Sequence, residues 1–317
     1  MRSFSILCAI ALFGGRAGAA APAQGFAVER LYPSAPGAGW FVMDALDIHG
    51  ELGGAMSLSL GYAYHPLTIT NGAQHLTVVS DQANADVGAA LTYRRFRFYL
   101  NLDVPLALSG ESGAVGTTSF VSPMVNPGST PDILSDVRLG ADVRIFGRAD
   151  GPFRFGAGAQ LYVPFGQRSD YVTDGTFRGA IRALAAGNLG AFVYAAQLGV
   201  HIRPFVDPAP GAPKGSELLF GVAAGAKVYV GHGGNWAVVV GPEVFGATAF
   251  RTFLETNGTA LEGMISGRIE GTRENKAQLR VKLAAGSAFN YRFGAADWRL
   301  VVGVELFGQS QRSKPRP

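Results

Sequence analysis

The chain has 317 residues, 44 of them glycine and only 16% charged, which suits a turn-rich all-β protein better than a helical one. The formal charge is +4, but Arg2 and Arg16 fall in a leader, so the rest is nearly balanced and net charge gives no case for nucleic-acid binding. The single cysteine, Cys8, falls in the same leader, which excludes disulfide and thiol chemistry from the remainder.

Residues 1–23 read as a secretory signal peptide: Arg2 at the start, an apolar core from Ile6 to Phe13, and small residues at Ala17, Ala19, Ala21 and Ala23. The apolar core is too short to span a bilayer, and no later stretch reaches ~20 consecutive apolar residues. An exported, apolar chain without membrane helices points to the outer membrane of a Gram-negative-type cell.

Phe26–Tyr32 is a short strand or a periplasmic lead-in, followed by the turn-rich 33–39. Trp40–His49 reads as a strand, although Val42, Leu46 and Ile48 share a face with Asp44. Met56, Leu58, Leu60, Tyr62 and Tyr64 alternate with Ser57, Ser59, Gly61 and Ala63. Such a period of two is a strand with unlike faces. Thr68–Val79 is β-rich around Asn71-Gly72, a hairpin signal, and predicts a ribbon protruding beyond the bilayer. Alternating strands follow at Ala85–Tyr93, Phe96–Leu106, Val137–Ile145, Phe153–Val163, Thr176–Ala186, Phe192–Arg203, Leu218–Val230 and Trp236–Phe245. Ala249–Lys276 reads as the longest loop.

The most regular stretch is the closing hairpin. Leu279, Val281 and Leu283 alternate with Gln278, Arg280 and Lys282, and after Gly294–Asp297, Leu300, Val302, Val304 and Leu306 alternate with Arg299, Gly303 and Glu305. Strands of ~9–11 residues with one apolar and one polar face are what a tilted membrane strand requires. The fold expected is a transmembrane antiparallel up-and-down β-barrel over residues 24–317. It has twelve strands, with fourteen possible if Phe26–Tyr32 and a strand after Phe307 are added. Aromatics at the short turns (Tyr93, Phe96, Phe153, Trp236, Phe293, Trp298) suggest an interfacial belt.

The segments G-F-A-V-E-R-L-Y-P-S (25–34), Y-A-Y-H-P-L (62–67) and F-V-Y-A-A-Q-L-G-V-H-I-R-P (192–204) resemble the N-terminal barrel of OmpA-type outer-membrane proteins that carry thrombospondin type 3 repeats. The resemblance implies a barrel. No Asp-rich repeat or peptidoglycan-binding domain follows Phe307, so cell-wall tethering is not implied. Phe307 itself looks like the aromatic end of a signal read by the outer-membrane insertion machinery.

No catalytic grouping, metal-ligand spacing or phosphate loop stands out around His49, His65, His75, His201 or His232, and no cofactor is expected. The chemistry lies in the inward positions. Arg97, Arg138, Arg144, Arg154, Arg178, Arg182, Arg203, Lys227, Arg280, Lys282 and Arg299 face Asp86, Asp103, Asp136, Asp142, Glu243 and Glu305. Two readings follow: an ion-pair network that fills and stiffens the barrel, or the lining of a narrow, mildly anion-selective pore. Function is accordingly expected to be structural with at most such a pore. The alternatives are a diffusion porin for small solutes and, last, a barrel enzyme acting on lipid or peptide. Outer-membrane lipids and the insertion machinery are the expected partners.

Overall fold

The computed structural model describes residues 21–48, 52–125, 134–230, 236–271, 278–290 and 294–310. Among them, twelve antiparallel strands close into one barrel. In chain order they are β1 (Leu52–Asn71), β2 (Gln74–Tyr93), β3 (Phe96–Ser109), β4 (Val137–Phe146), β5 (Arg154–Val163), β6 (Arg178–Leu189), β7 (Phe192–Ile202), β8 (Glu217–Val230), β9 (Trp236–Ala249), β10 (Thr259–Gly271), β11 (Gln278–Asn290) and β12 (Trp298–Ser310). The last pairs with the first from Trp298↔Tyr64 to Ser310↔Leu52. Closure leaves no free edge, which a lipid environment demands because unpaired backbone groups there have no water to bond. The thirteenth and fourteenth strands are therefore not needed.

The two-residue rhythm sorts the faces as expected. Leu279, Val281 and Leu283 of β11 are exposed, whereas Arg280 and Lys282 between them are buried in the lumen. Val304 and Leu306 of β12 repeat this around the buried Glu305. Leu283 is 56% exposed near the middle of its strand, in the band that must meet lipid. Leu283→Arg is therefore expected to destabilise the barrel in lipid vesicles by about 2–4 kcal/mol, with a smaller cost at strand ends. Urea titration of the refolded protein measures this. A neutral effect would place that face against water.

One end carries tight connections at Arg94-Arg95, 147–153 and Gly190-Ala191, together with the start of β1 and the end of β12. Gly147 is required there: its φ is +86°, and a Cβ would lie 2.2 Å from the Phe153 carbonyl oxygen. The other end carries the long connections 110–136, 164–177, 203–216 and 250–258. The β1–β2 ribbon turns at Gly72 (φ +59°), as expected, but it does not stand free. Leu67, Ile69, Leu76, Val78 and Val79 pack with Val115, Phe120, Tyr171 and Val172 from the loops, and with Phe26 and Val28. The long-loop mouth is thus domed by its own small core. The wall is least continuous beside β3, whose ladder with β4 runs only from Phe96↔Val143 to Asn101↔Arg138. Pro105, which has no N–H to donate, lies on the unpaired stretch.

Four expectations need correction. Trp40–His49 is not a wall strand; its described part lies inside the barrel, with Trp40, Phe41, Val42 and Met43 all buried. Phe26–Tyr32 is neither a strand nor a periplasmic lead-in; it sits in the lumen near the long-loop end. The region read as the longest loop holds β10, whose glycines at 263, 267 and 271 dilute its apolar face. Trp298 belongs to the long-loop end, because 291–297 connects strands there, and Phe293 lies outside the described residues. The expected leader also lies outside them, except for Ala21–Ala23 beside Thr118-Ser119.

Candidate functional site: a lumen filled by the N-terminal segment

Residues 24–48 run down the lumen from the domed mouth to the short-turn end. At the top, Arg168 donates to the carbonyl oxygen of Gly25 (2.9 Å). The Ala27 amide donates to Asp174 (2.9 Å), and Arg203 donates to the Ala27 carbonyl (3.0 Å). Burial pushes the Asp174 carboxyl up, but the guanidiniums of Arg203 and Arg178 and the Ala27 amide together outweigh that and hold it at about 2. Its contribution to stability is therefore present above about pH 4 and fades as the pH falls toward 2.

Lower down the segment folds on itself. Ser34 N donates to the Phe41 carbonyl (2.7 Å), and Ala45 N to that of Ala38 (3.0 Å). This compact loop presses on wall positions that have little or no side chain. A Cβ on Gly221 would lie 2.3 Å from Met43 Cε, one on Gly225 2.9 Å from Trp40 Cη2, and one on Gly88 2.6 Å from Pro36 Cγ. Inward alanines 186, 195, 223 and 284 complete the bed for Trp40–Leu46. The glycine-rich inward faces are thus the seat of a chain segment. A barrel of this strand number lies between small barrels filled by side chains and porins that enclose water, and here chain takes up the difference.

Charge is matched across this contact. The segment carries Glu29, Arg30, Asp44 and Asp47, and each meets an opposite charge on the wall. Glu29 pairs with Arg299 (3.0 Å), Arg30 with Glu217 (3.2 Å), and Asp47 approaches Arg280 (3.8 Å). Asp44 pairs with Arg97. In return, the fully buried Glu243 of β9 accepts from three consecutive amides, Phe41 (3.0 Å), Val42 (2.9 Å) and Met43 (3.4 Å). Successive N–H groups converging on one carboxylate form an anion nest. Lys282 donates to the Trp40 carbonyl (3.3 Å) and lies over the Phe41 ring, while Arg138 donates to the Pro33 carbonyl and lies over the Tyr99 ring.

The remaining inward residues read from the sequence join wall networks. Asp142 bridges Arg97 (3.1 Å) and Arg182 (2.9 Å). Arg178 pairs with Asp136 (2.7 Å), and Arg203 with Asp174 and Glu217. Glu305 receives Arg280 (2.7 Å) and Lys282 (2.6 Å). Lys227 meets Glu270 (3.3 Å). Among the described residues the Arg154 side chain bonds only neutral oxygens, and the Arg144 side chain makes no hydrogen bond or ion pair. Asn101 donates to Asp86 (2.7 Å), and Asp103 accepts from Ser135 (2.9 Å).

The sequence reading missed Glu217, Glu262, Arg268 and Glu270 as lumen groups, and all four segment charges. Glu262, Arg268 and Glu270 stand at even spacing on β10, and that parity was the available signal. Of the histidines, His201 is buried between Tyr32 and Tyr162. His65 pairs with Asp297 (3.0 Å) at the rim, His75 faces Thr70 at the ribbon tip (3.5 Å), and His49 and His232 lie outside the described residues.

No family model matches the chain, and no curated protein matches it in sequence. Among solved structures it is similar to an outer membrane channel from Pseudomonas putida F1, at 14% identity and a TM-score of 0.49, covering 81% of this chain and 95% of that one. It is also similar to the CymD monoaromatic hydrocarbon channel (8%, 0.40, covering 84% and 90%) and to an anion-selective porin from Comamonas acidovorans (11%, 0.33, covering 81% and 98%). At these identities the likeness is one of barrel architecture.

Proposed function

We propose that this is an outer-membrane β-barrel protein whose lumen is closed at rest by its own N-terminal segment, with a structural role and conduction limited to small anions. In this reading residues 1–23 are cleaved on export, the insertion machinery assembles the barrel, and the short-turn end faces the periplasm. Membrane insertion is supported by the continuous apolar exterior above a charged interior. The observation that carries the closed state is the grip of Glu243 on the amides of Phe41, Val42 and Met43 in mid-lumen.

Anion preference follows from the charge match. Without the segment, Glu29, Asp44 and Asp47 go, and Arg299, Arg97 and Arg280 lose part of their compensation. Planar-bilayer recording tests both points. The whole mature chain is expected to give no steps, or only small ones, above background. A chain lacking residues 24–48 is expected to give large steps that favour anions. Porin-sized steps from the whole chain would overturn the closed reading and favour the diffusion-porin alternative. Cation preference in the shortened chain would overturn the Arg-lined one.

A further inference from the structure

Two lumen cations stand apart from the networks above. The ladder pairs Arg144 of β4 with Gly156 of β5, which makes Arg154 its diagonal neighbour on the same inward face. Such neighbours lie about 7–8 Å apart, within reach of long side chains. Arg144 is 8% exposed and Arg154 1%. Arg154 donates to the Ala149 carbonyl and to Asn188 Oδ1 (3.0 Å), both neutral. Nε of Arg154, and Nε and Nη1 of Arg144, have no hydrogen-bond partner among the described residues.

Among the described residues the acids of this end also serve other cations, although Asp47 acts on Arg144 and Arg154 as well. Asp44 and Asp142 hold Arg97, Asp47 approaches Arg280 at 3.8 Å, and the exposed Asp150 faces Arg148 at 3.8 Å. Two neighbouring buried guanidiniums that no described carboxylate hydrogen-bonds carry both a desolvation cost and mutual repulsion. An oxyanion relieves both, and a guanidinium fork matches the oxygens of phosphate or carboxylate.

We infer that Arg144 and Arg154 form a binding site for a small oxyanion at the short-turn mouth of the barrel, just beneath Leu46 of the lumen segment. Both side chains face the lumen and not the apolar exterior, so the ligand is a free ion from the aqueous phase.

Isothermal titration of inorganic phosphate into the whole detergent-solubilised protein, at constant ionic strength in chloride, tests it. One phosphate is expected per chain, with a dissociation constant below about 10 mM. Arg144→Gln should weaken binding about tenfold or more, and Arg148→Gln, at an exposed arginine nearby, should leave it unchanged. Because the Arg144 side chain makes no hydrogen bond or ion pair among the described residues, Arg144→Gln should also fold as well as the parent in phosphate-free buffer. That variant therefore decides the matter even if Arg154→Gln fails to fold. No saturable binding below about 10 mM, or equal binding in Arg144→Gln, would overturn the site.

Discussion

Replacing Arg97 with methionine is expected to destabilise the folded barrel by about 3–5 kcal/mol, the usual cost of stranding a buried charge by removing its partner. Arg97 is 2% exposed and touches both Asp44 and Asp142. Asp142 keeps Arg182 at 2.9 Å, so the loss falls mainly on Asp44, which is left with the Leu46 amide at 2.7 Å. Two consequences separate this account from general damage. Asp44→Asn added to Arg97→Met should recover part of the loss, because the stranded carboxylate disappears with it. The single variant should also conduct more than the parent, because Asp44 belongs to the segment and not to the wall. Urea midpoints in vesicles and bilayer recordings give the two readouts. A double variant less stable than the single one would contradict the pairing.

Glu243→Ala acts on the same closure from the wall side. It strands three buried amides, at about 1–3 kcal/mol each before relaxation, without touching the apolar exterior or any ladder. If roughly 3 kcal/mol of seating energy is lost, the open fraction rises about a hundredfold. Glu243→Gln keeps one acceptor oxygen and should fall between the two. The barrel should still insert and migrate as a folded species. A Glu243→Ala barrel as silent as the parent would show that the grip does not hold the segment.

Much of this was legible in the sequence. Alternation alone placed eleven of the wall strands, because the lipid and lumen sides of a barrel wall differ so sharply in polarity. The twelve-strand total came out right through two opposite errors. Trp40–His49 reads as wall, yet Trp40, Phe41, Val42 and Met43 are consecutive apolar residues. A wall strand cannot bury consecutive side chains on one side, whereas a segment enclosed all round can. Ala249–Lys276 reads as loop although it holds the strand Thr259–Gly271, because Gly263, Gly267 and Gly271 thin that strand's outer face. A ring from the next strand covers part of that gap: a Cβ on Gly263 would lie 2.5 Å from the Phe289 ring. The closure itself was not legible. Nothing local in G-A-G-W-F-V-M-D (37–44) says that its amides will meet a glutamate some two hundred positions away.

Hydrogen–deuterium exchange at the amides of Phe41, Val42 and Met43, in the whole protein in detergent or nanodiscs, addresses the closure most directly. If the segment is seated as described, these amides exchange as slowly as those of neighbouring barrel strands such as Trp298–Ser310, over hours. Exchange at the rate of a free peptide, complete within seconds while the strand amides stay protected, would mean that the lumen is open and the segment lies elsewhere.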